Sequence, residues 1–472
     1  MPMKRFFSVL IAIILWQSEA LHAQYLPPDT LWTEVFTLDV KDYVEDLVLS
    51  EAEGYLLAGS SGPVMVDLSA ALLMVDSSGN ELWHKTYRDS ASIYSYFYSV
   101  LQHPNGGYIA SGCSIFPDST GENAWLVKLD ESGNIQWENT IFSPNQDSFF
   151  YMSIPVSGGD FLHVGGIGVY TQNTLDMLIL RTDAGGSVES LHQYGGDQND
   201  SGFDAVETSA HDIVAVGKTR HGTLTSGYII KVDSVGTVLW EELYSSGTHT
   251  CLECVSILND GGVVVGGFST ETGSVLAEYD QDGILQWDES YESVSSIRDL
   301  EVCPNGDIVC VGSAENGGVL LMRCGESGGV IWQTELEGGS GYALISDLNG
   351  GYAVAAGIND YPEMDLWLLQ FASCSGMEET PDAGFGEIQA SVSPNPFRGA
   401  VTLEYNIEVR SDIDVSVYDC SGRRIDFFEL QNRPSGRGYT SWTPVPEVPD
   451  GLYSIVLSTG SEKATCRCLR LK

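Results

Sequence analysis

Apolar and polar positions alternate with a period of two in short runs along most of the chain, the pattern of strands buried on one face. Residues 124–137, AWLVKLDESGNIQW, show the unit. Alternation runs up to Asp130, a turn spans Asp130 to Gly133, and a new strand starts at Ile135-Gln136-Trp137. Asp suits the turn because its carboxylate can accept from nearby backbone N–H groups, and Gly because it tolerates positive φ. The hairpin recurs. Asp76-Gly79-Trp83, Asp130-Gly133-Trp137, Asp233-Gly236-Trp240 and Asp280-Gly283-Trp287 fit DxxGxxxW. Asp183 and Gly186 keep the turn with Ser190 in the Trp place, and Gly325 replaces the Asp ahead of Gly328 and Trp332. A seventh copy, Trp367 to Ala372, stops after its first strand, while a lone Trp strand stands far upstream at Leu31 to Val35. The turn positions 76, 130, 183, 233, 280, 325 and 372 are 45 to 54 residues apart. That period suits propeller blades better than helical repeats.

A second marker has the same count: GYLLAG at 54–59, then GYIASG at 107, DFLHVGG at 160, DIVAVG at 212, GVVVGG at 262, DIVCVG at 307 and GYAVAAG at 351. Each follows a turn and, before it, an apolar strand. Four strands per unit and seven units predict an all-β fold, a seven-bladed β-propeller over 24–372. The strand at 31–36 completes the last blade, so that the two ends of the ring are hydrogen-bonded and no sheet edge is left open.

The ends of the chain read differently. Residues 1–23 have the form of a signal peptide: Lys4 and Arg5, an apolar run from Phe6 to Trp16 that is too short to span a bilayer, and small residues up to Ala23. Residues 373–387 are rich in Gly, Pro and acid and read as a linker. Residues 388–472 return to alternating strands at 401–405, 413–418 and 452–457, with turns at 419–422 and 449–451, predicting a small immunoglobulin-like sandwich.

Composition sharpens this reading. The net charge is −43, yet residues 388–472 hold ten basic and ten acidic side chains, so the whole excess lies before them. Such a surface repels nucleic acid and anionic membranes. Ten cysteines in an exported chain permit disulfides. Cys251 and Cys254 form a lone CxxC whose members point to opposite faces of a strand, which disfavours metal or redox work. Cys303, Cys310 and Cys324 share a blade in which a cross-strand bridge is open. The expectation is buried thiols, or one or two bridges with no pairing assigned.

Residues 388–472 resemble the C-terminal sorting domain of proteins exported by the type IX secretion system. The matching residues are Ser393, Pro394, Asn395, Pro396 and Phe397, then VYDCSGRRI with Gly422, PDGLYSIVL with Gly451 and Tyr453, and the basic tail Leu469-Arg470-Leu471-Lys472. Cys466 and Cys468 depart from that pattern, where polar or basic residues are expected. The ring is similar to bacterial quinoprotein-like and WD40-like propeller repeats, through Tyr194-Gly195-Gly196-Asp197-Gln198-Asn199-Asp200-Ser201-Gly202-Phe203. The first resemblance implies delivery through the periplasm to the cell surface or medium, with the type IX machinery as partner. The second implies no particular activity.

Metalloprotease and nucleotide-binding motifs are missing: the chain has no HExxH or P-loop. His84, His103, His163, His192, His211, His221 and His249 are scattered singly, as turn or core residues are. Arg88, Arg181, Arg220, Arg298 and Arg323 are the only arginines of the ring, too dispersed for a sialidase-like carboxylate clamp. Asp197, Asn199 and Ser201 follow the first half of a calcium loop, but Thr208 stands where its last acid belongs, so a polar loop between blades is the preferred reading and no cofactor is expected. The functional expectation is an exported, non-enzymatic binding module for an extracellular protein or polysaccharide. The alternative is a propeller hydrolase or lyase using a carboxylate pair in the central channel. A carboxylate pair with raised pKa at a channel mouth favours the enzyme; channel aromatics without such a pair favour binding.

Overall fold

The computed structural model describes residues 28, 30–50, 54–89, 92–116, 121–141, 146–346, 351–358, 364–372, 389–393, 399–407, 410–419, 424–445, 448, 451–459 and 463–470. The signal at 1–23, the linker at 373–387, and Pro394, Asn395, Pro396, Phe397 and Gly422 of the sorting motif lie outside them. The chain divides into two compact units, Met1–Gly376 and Met377–Lys472.

The first unit holds seven four-stranded antiparallel sheets. Blades 1 to 6 cover 41–87, 94–141, 147–194, 200–244, 250–291 and 294–337. Blade 7 takes three strands from 339–371 and its fourth, Thr30–Phe36, from the other end of the ring. Thr33 faces Leu369 and Val35 faces Trp367 in that closing pair. Trp32 faces Gln370, the place that Trp83 takes opposite Met74 and Trp137 opposite Lys128. First strands neighbour first strands all the way round, so they wall the channel and the fourth strands form the rim. Middle strands are buried on both faces, as in the run from Ala124 to Leu129, and the apolar clusters lie between adjacent blades.

The repeated turn explains itself locally. The Asp130 carboxylate accepts from the N–H groups of Ser132 at 3.0 Å and Asn134 at 2.8 Å. Those Asn134 contacts hold the Asp130 carboxyl below its usual range. Gly79, Gly133, Gly186, Gly236, Gly283 and Gly328 all have positive φ, between 72° and 84°. Each turn also serves the neighbouring blade. A Cβ on Gly133 would meet the Trp83 ring, one on Gly283 the Trp240 ring, and one on Gly79 the Trp32 ring. The Tyr87 hydroxyl donates to the Gly133 carbonyl at 2.8 Å. The indoles of Trp32, Trp83, Trp137, Trp240 and Trp287 therefore seat on the turn of the following blade. Where Ser190 replaces Trp, the imidazole of His192 covers Gly236 instead. Gly133→Val is expected to destabilise by roughly 1–3 kcal/mol, from a β-branched residue at positive φ and from the clash with Trp83. Thermal or denaturant unfolding checks this, and an unchanged midpoint would contradict the role given to the turn.

The second unit has seven strands in two sheets. One comprises Gln389–Ser393, Val401–Ile407 and Gly436–Trp442; the other Arg424–Arg433, Ser411–Asp419, Gly451–Ser458 and Lys463–Arg470. Its core contains Leu403, Val415, Ile455 and Leu457, with Tyr453 set edge-on to Trp442 at 5.3 Å.

Cys113, Cys251, Cys254, Cys303, Cys310, Cys324 and Cys466 are free thiols, so the bridge left open in blade 6 is not formed. Cys303 and Cys324 each lie 3.6 Å from a tyrosine hydroxyl, of Tyr352 and Tyr291 respectively.

Candidate functional site

All seven first strands break register at equivalent positions, and that of blade 6 does so a second time, between Val294 and Ser296. The extra residues at these bulges are Glu45, Tyr98, Tyr151, Phe203, Glu253, Arg298 and Tyr342, and all seven are half-buried. A bulge re-aims its side chain out of the ladder, and here seven bulges form one ring around the channel. The glycine of the second marker accommodates each bulge. A Cβ on Gly59, Gly112, Gly165, Gly217, Gly267 or Gly312 would collide with the backbone carbonyl oxygen two residues before it. Blade 7 carries Ala356 at that place.

The residue after the bulge ties blades together. Asp46 accepts from its neighbour Leu47 N–H at 2.7 Å and from Val100 N–H of blade 2 at 2.8 Å. Asp204 does the same with Ala205 and Val255, and Asp299 with Leu300 and Leu344. Burial raises Asp46 to about 6 and Asp204 to about 7, against the pull of those N–H donors. These carboxylates are structural.

The ring is divided. Tyr98, Tyr151 and Phe203 are consecutive aromatics, with centroids 5.0 Å and then 4.9 Å apart. Tyr96 stacks on Tyr98 at 6.0 Å, and Tyr94 lies edge-on to Tyr96 at 5.5 Å, extending the wall outward. The rest of the ring is polar or charged: Glu253, Arg298, Tyr342 and Glu45. The Arg298 guanidinium lies 4.6 Å from the Tyr342 ring, and the Lys218 ammonium 5.2 Å from Phe203. Burial pushes Glu45 up to about 7, with Arg298 opposing and Glu253 adding to the rise. Glu253 is raised by burial, against Arg298 and Lys218. Aromatics and a raised carboxylate pair thus occur in the same channel, and the two functional expectations are not separated by presence alone.

The other sequence candidates do not gather. Asp197 is exposed; Asn199 accepts from Leu175 N–H at 2.9 Å; Ser201 is buried in a strand, opposite Lys218. No group of three or more His, Cys, Asp or Glu placed to hold a metal occurs among the described residues. Cys251 is a buried thiol pushed up by desolvation, and Cys254 packs with Ile297 and Leu300 in the core. His163 is buried, hydrogen-bonded to Ser153 at 2.7 Å and Thr182 at 3.0 Å, and pushed down to about 3 by burial, which fits a neutral core histidine.

A closed ring of seven four-stranded sheets around a lined channel, followed by a two-sheet β-domain, defines a β-propeller protein with a C-terminal accessory domain. Residues 123–360, just over half of the chain, match the family described as outer membrane protein assembly factor BamB, and the chain belongs to that propeller-repeat family. Residues 391–469 match the secretion system C-terminal sorting domain, of type IX. That domain directs the chain to the cell surface or the extracellular space through the secretion machinery. No helix among the described residues is long and apolar enough to cross a membrane. No curated protein matches the chain. Among solved structures it is similar to the WD40 domain of Neurospora crassa Pan2, with 12% identity and a TM-score of 0.47 over 70% of this chain and 92% of that one. It is also similar to a puromycin hydrolase, with 12% identity and a TM-score of 0.45 over 78% and 59%. A third is the polysaccharide lyase Uly1, with 7% identity and a TM-score of 0.46 over 74% and 100%. These likenesses concern the fold.

Proposed function

We propose that the propeller is a non-enzymatic binding module, presented outside the cell, that holds an extracellular polymer at the aromatic mouth of its channel. The observation that carries this is the wall Tyr94–Tyr96–Tyr98–Tyr151–Phe203, five rings in succession across three blades. Rings in that series offer flat apolar faces for stacking at low entropic cost. A second reading, hydrolysis or lysis through Glu45 and Glu253, is favoured by the raised carboxyls of both. Arg298 weighs against it, because it pulls both carboxyls back toward their charged form.

The test is affinity electrophoresis of the purified full chain through gels holding soluble polysaccharides, with a parallel assay for shortened chains. Retardation by at least one polysaccharide is expected, lost in Tyr96→Ala and Tyr151→Ala and kept in Glu253→Gln, without shortening of the polymer. Chain shortening that disappears in Glu45→Gln would replace this reading with the enzymatic one.

A further inference from the structure

We propose that a cavity beside the channel mouth is a binding site for an organic ammonium group. The cavity, of about 260 Å³, is lined by Tyr43, Tyr94, Tyr96, Tyr98, Glu45 and Glu122, with Ser60, Met65 and Leu68 completing the wall. Four tyrosines and two carboxylates surround it, and no Lys, Arg or His is among its lining residues. That combination selects for positive charge: ring faces attract cations, more so when desolvated, and the carboxylates supply the countercharge. The volume admits one small cation or a single side chain, not a chain of rings.

The cavity wall itself holds no countercharge to these carboxylates. None of the ion pairs among the described residues includes Glu45 or Glu122. Glu122 is half-buried, and Asp147, whose carboxylate accepts from the Glu122 N–H at 3.2 Å, is another acid. The other titratable groups around it are Tyr94, Tyr96, Tyr98, Tyr151 and Cys113, none of them cationic. Glu45 meets one cation, Arg298 of blade 6, with Glu253 of blade 5 and Asp46 of its own strand on the acidic side. Arg298 itself stacks on Tyr342, outside the cavity wall. A buried carboxylate without a partner is costly, and a bound ammonium removes that cost. Burial raises both Glu45 and Glu122 to about 7, so the empty site carries protons near neutral pH. A cation favours the ionised form. Binding therefore releases protons, and affinity rises as the pH rises through about 7.

This deepens the proposed function, since it assigns a ligand chemistry to the same mouth. The test is titration calorimetry of the full chain with choline, lysine amide and glucosamine, and with 3,3-dimethylbutanol, the uncharged carbon analogue of choline. At least one of the three cations is expected to bind, and the alcohol not to. The strongest of the three distinguishes a quaternary amine, a lysine side chain and an amino sugar as the source. Glu122→Gln should weaken binding about tenfold, and Glu45→Gln with Glu122→Gln should abolish it. Both variants should melt at or above the parental temperature, because they remove buried charge. Affinity should fall between about pH 8 and about pH 6, with proton release seen as a dependence of the heat on buffer. Equal binding of choline and the alcohol, parental affinity in the double variant, or no binding of any cation would each overturn the site. Polymer retardation that fails while choline still binds refutes the polymer reading alone.

Discussion

Deletion of residues 24–36 is expected to lower the unfolding temperature of the propeller by about 10 °C or more. The deletion removes the fourth strand of blade 7, and with it the ladder from Thr30–Phe371 to Phe36–Leu366. It also removes Trp32, which packs edge-on to Tyr55 at 6.3 Å and covers the turn at Gly79 of blade 1. Loss of a packed Trp alone costs roughly 3–5 kcal/mol when fully buried, and somewhat less here because Trp32 is half-buried. The strand Asp365–Phe371 would then present a free edge with apolar side chains, which is a template for pairing with another copy. Differential scanning fluorimetry and light scattering read the two consequences separately. Trp32→Ala keeps the strand and should show a smaller fall without association. A truncated protein that melts with the parent would refute closure by this strand.

The second large effect is on location. The chain cut after residue 374 is expected to fold as a propeller and remain in the periplasm of a host that has the type IX system. The full chain should reach the surface or the medium, shortened at its C-terminus. Two observations underlie this. Residues 391–469 match the sorting domain, and the second unit has its own core around Trp442 and Tyr453. Each unit is compact by itself, so removal of one should spare the core of the other. Fractionation with immunoblotting decides the matter. Surface delivery of the cut form would show that residues beyond 374 are not the address.

What was legible in the sequence is what is local. A turn such as Asp130 to Gly133 needs an Asp to accept its N–H groups and a Gly for its φ, all within four residues, so it leaves a readable spacing. The blade count and the closing strand follow from that spacing. The two-sheet domain was legible for the same reason, through alternation at 401–405 and 413–418. The channel ring was not. Its members share a position and not one residue type: Glu45, Tyr98, Tyr151, Phe203, Glu253, Arg298 and Tyr342 mix aromatic, acidic and basic side chains. A signal existed nonetheless. Glu45 stands fourteen residues before Gly59, and the same distance separates Tyr98 from Gly112 and Arg298 from Gly312. Those glycines are small because a bulge lies opposite, so the marker used to count blades also points at the channel. His192 standing in for a Trp at Gly236 was missed because the replacement is two residues along from Ser190, on the same strand face. The cavity between Glu45 and Glu122 was out of reach, since it joins two blades and nothing local links them.

The pairing of Thr30 with Phe371 also sets an order of events. The strand that is synthesised first can find its partner only after the last blade has been made, and the intervening loop is nearly the whole ring. Blades 1 to 6 need only neighbouring segments, so they form from contacts of short sequence separation. The seventh waits for one contact of very long separation, the kind that slows folding most. Until then the apolar strand 365–371 has an open flank, and the chain is at its most prone to associate. For a protein that must leave the cell, this favours transit before the ring shuts, with the final pairing made outside the compartment of synthesis.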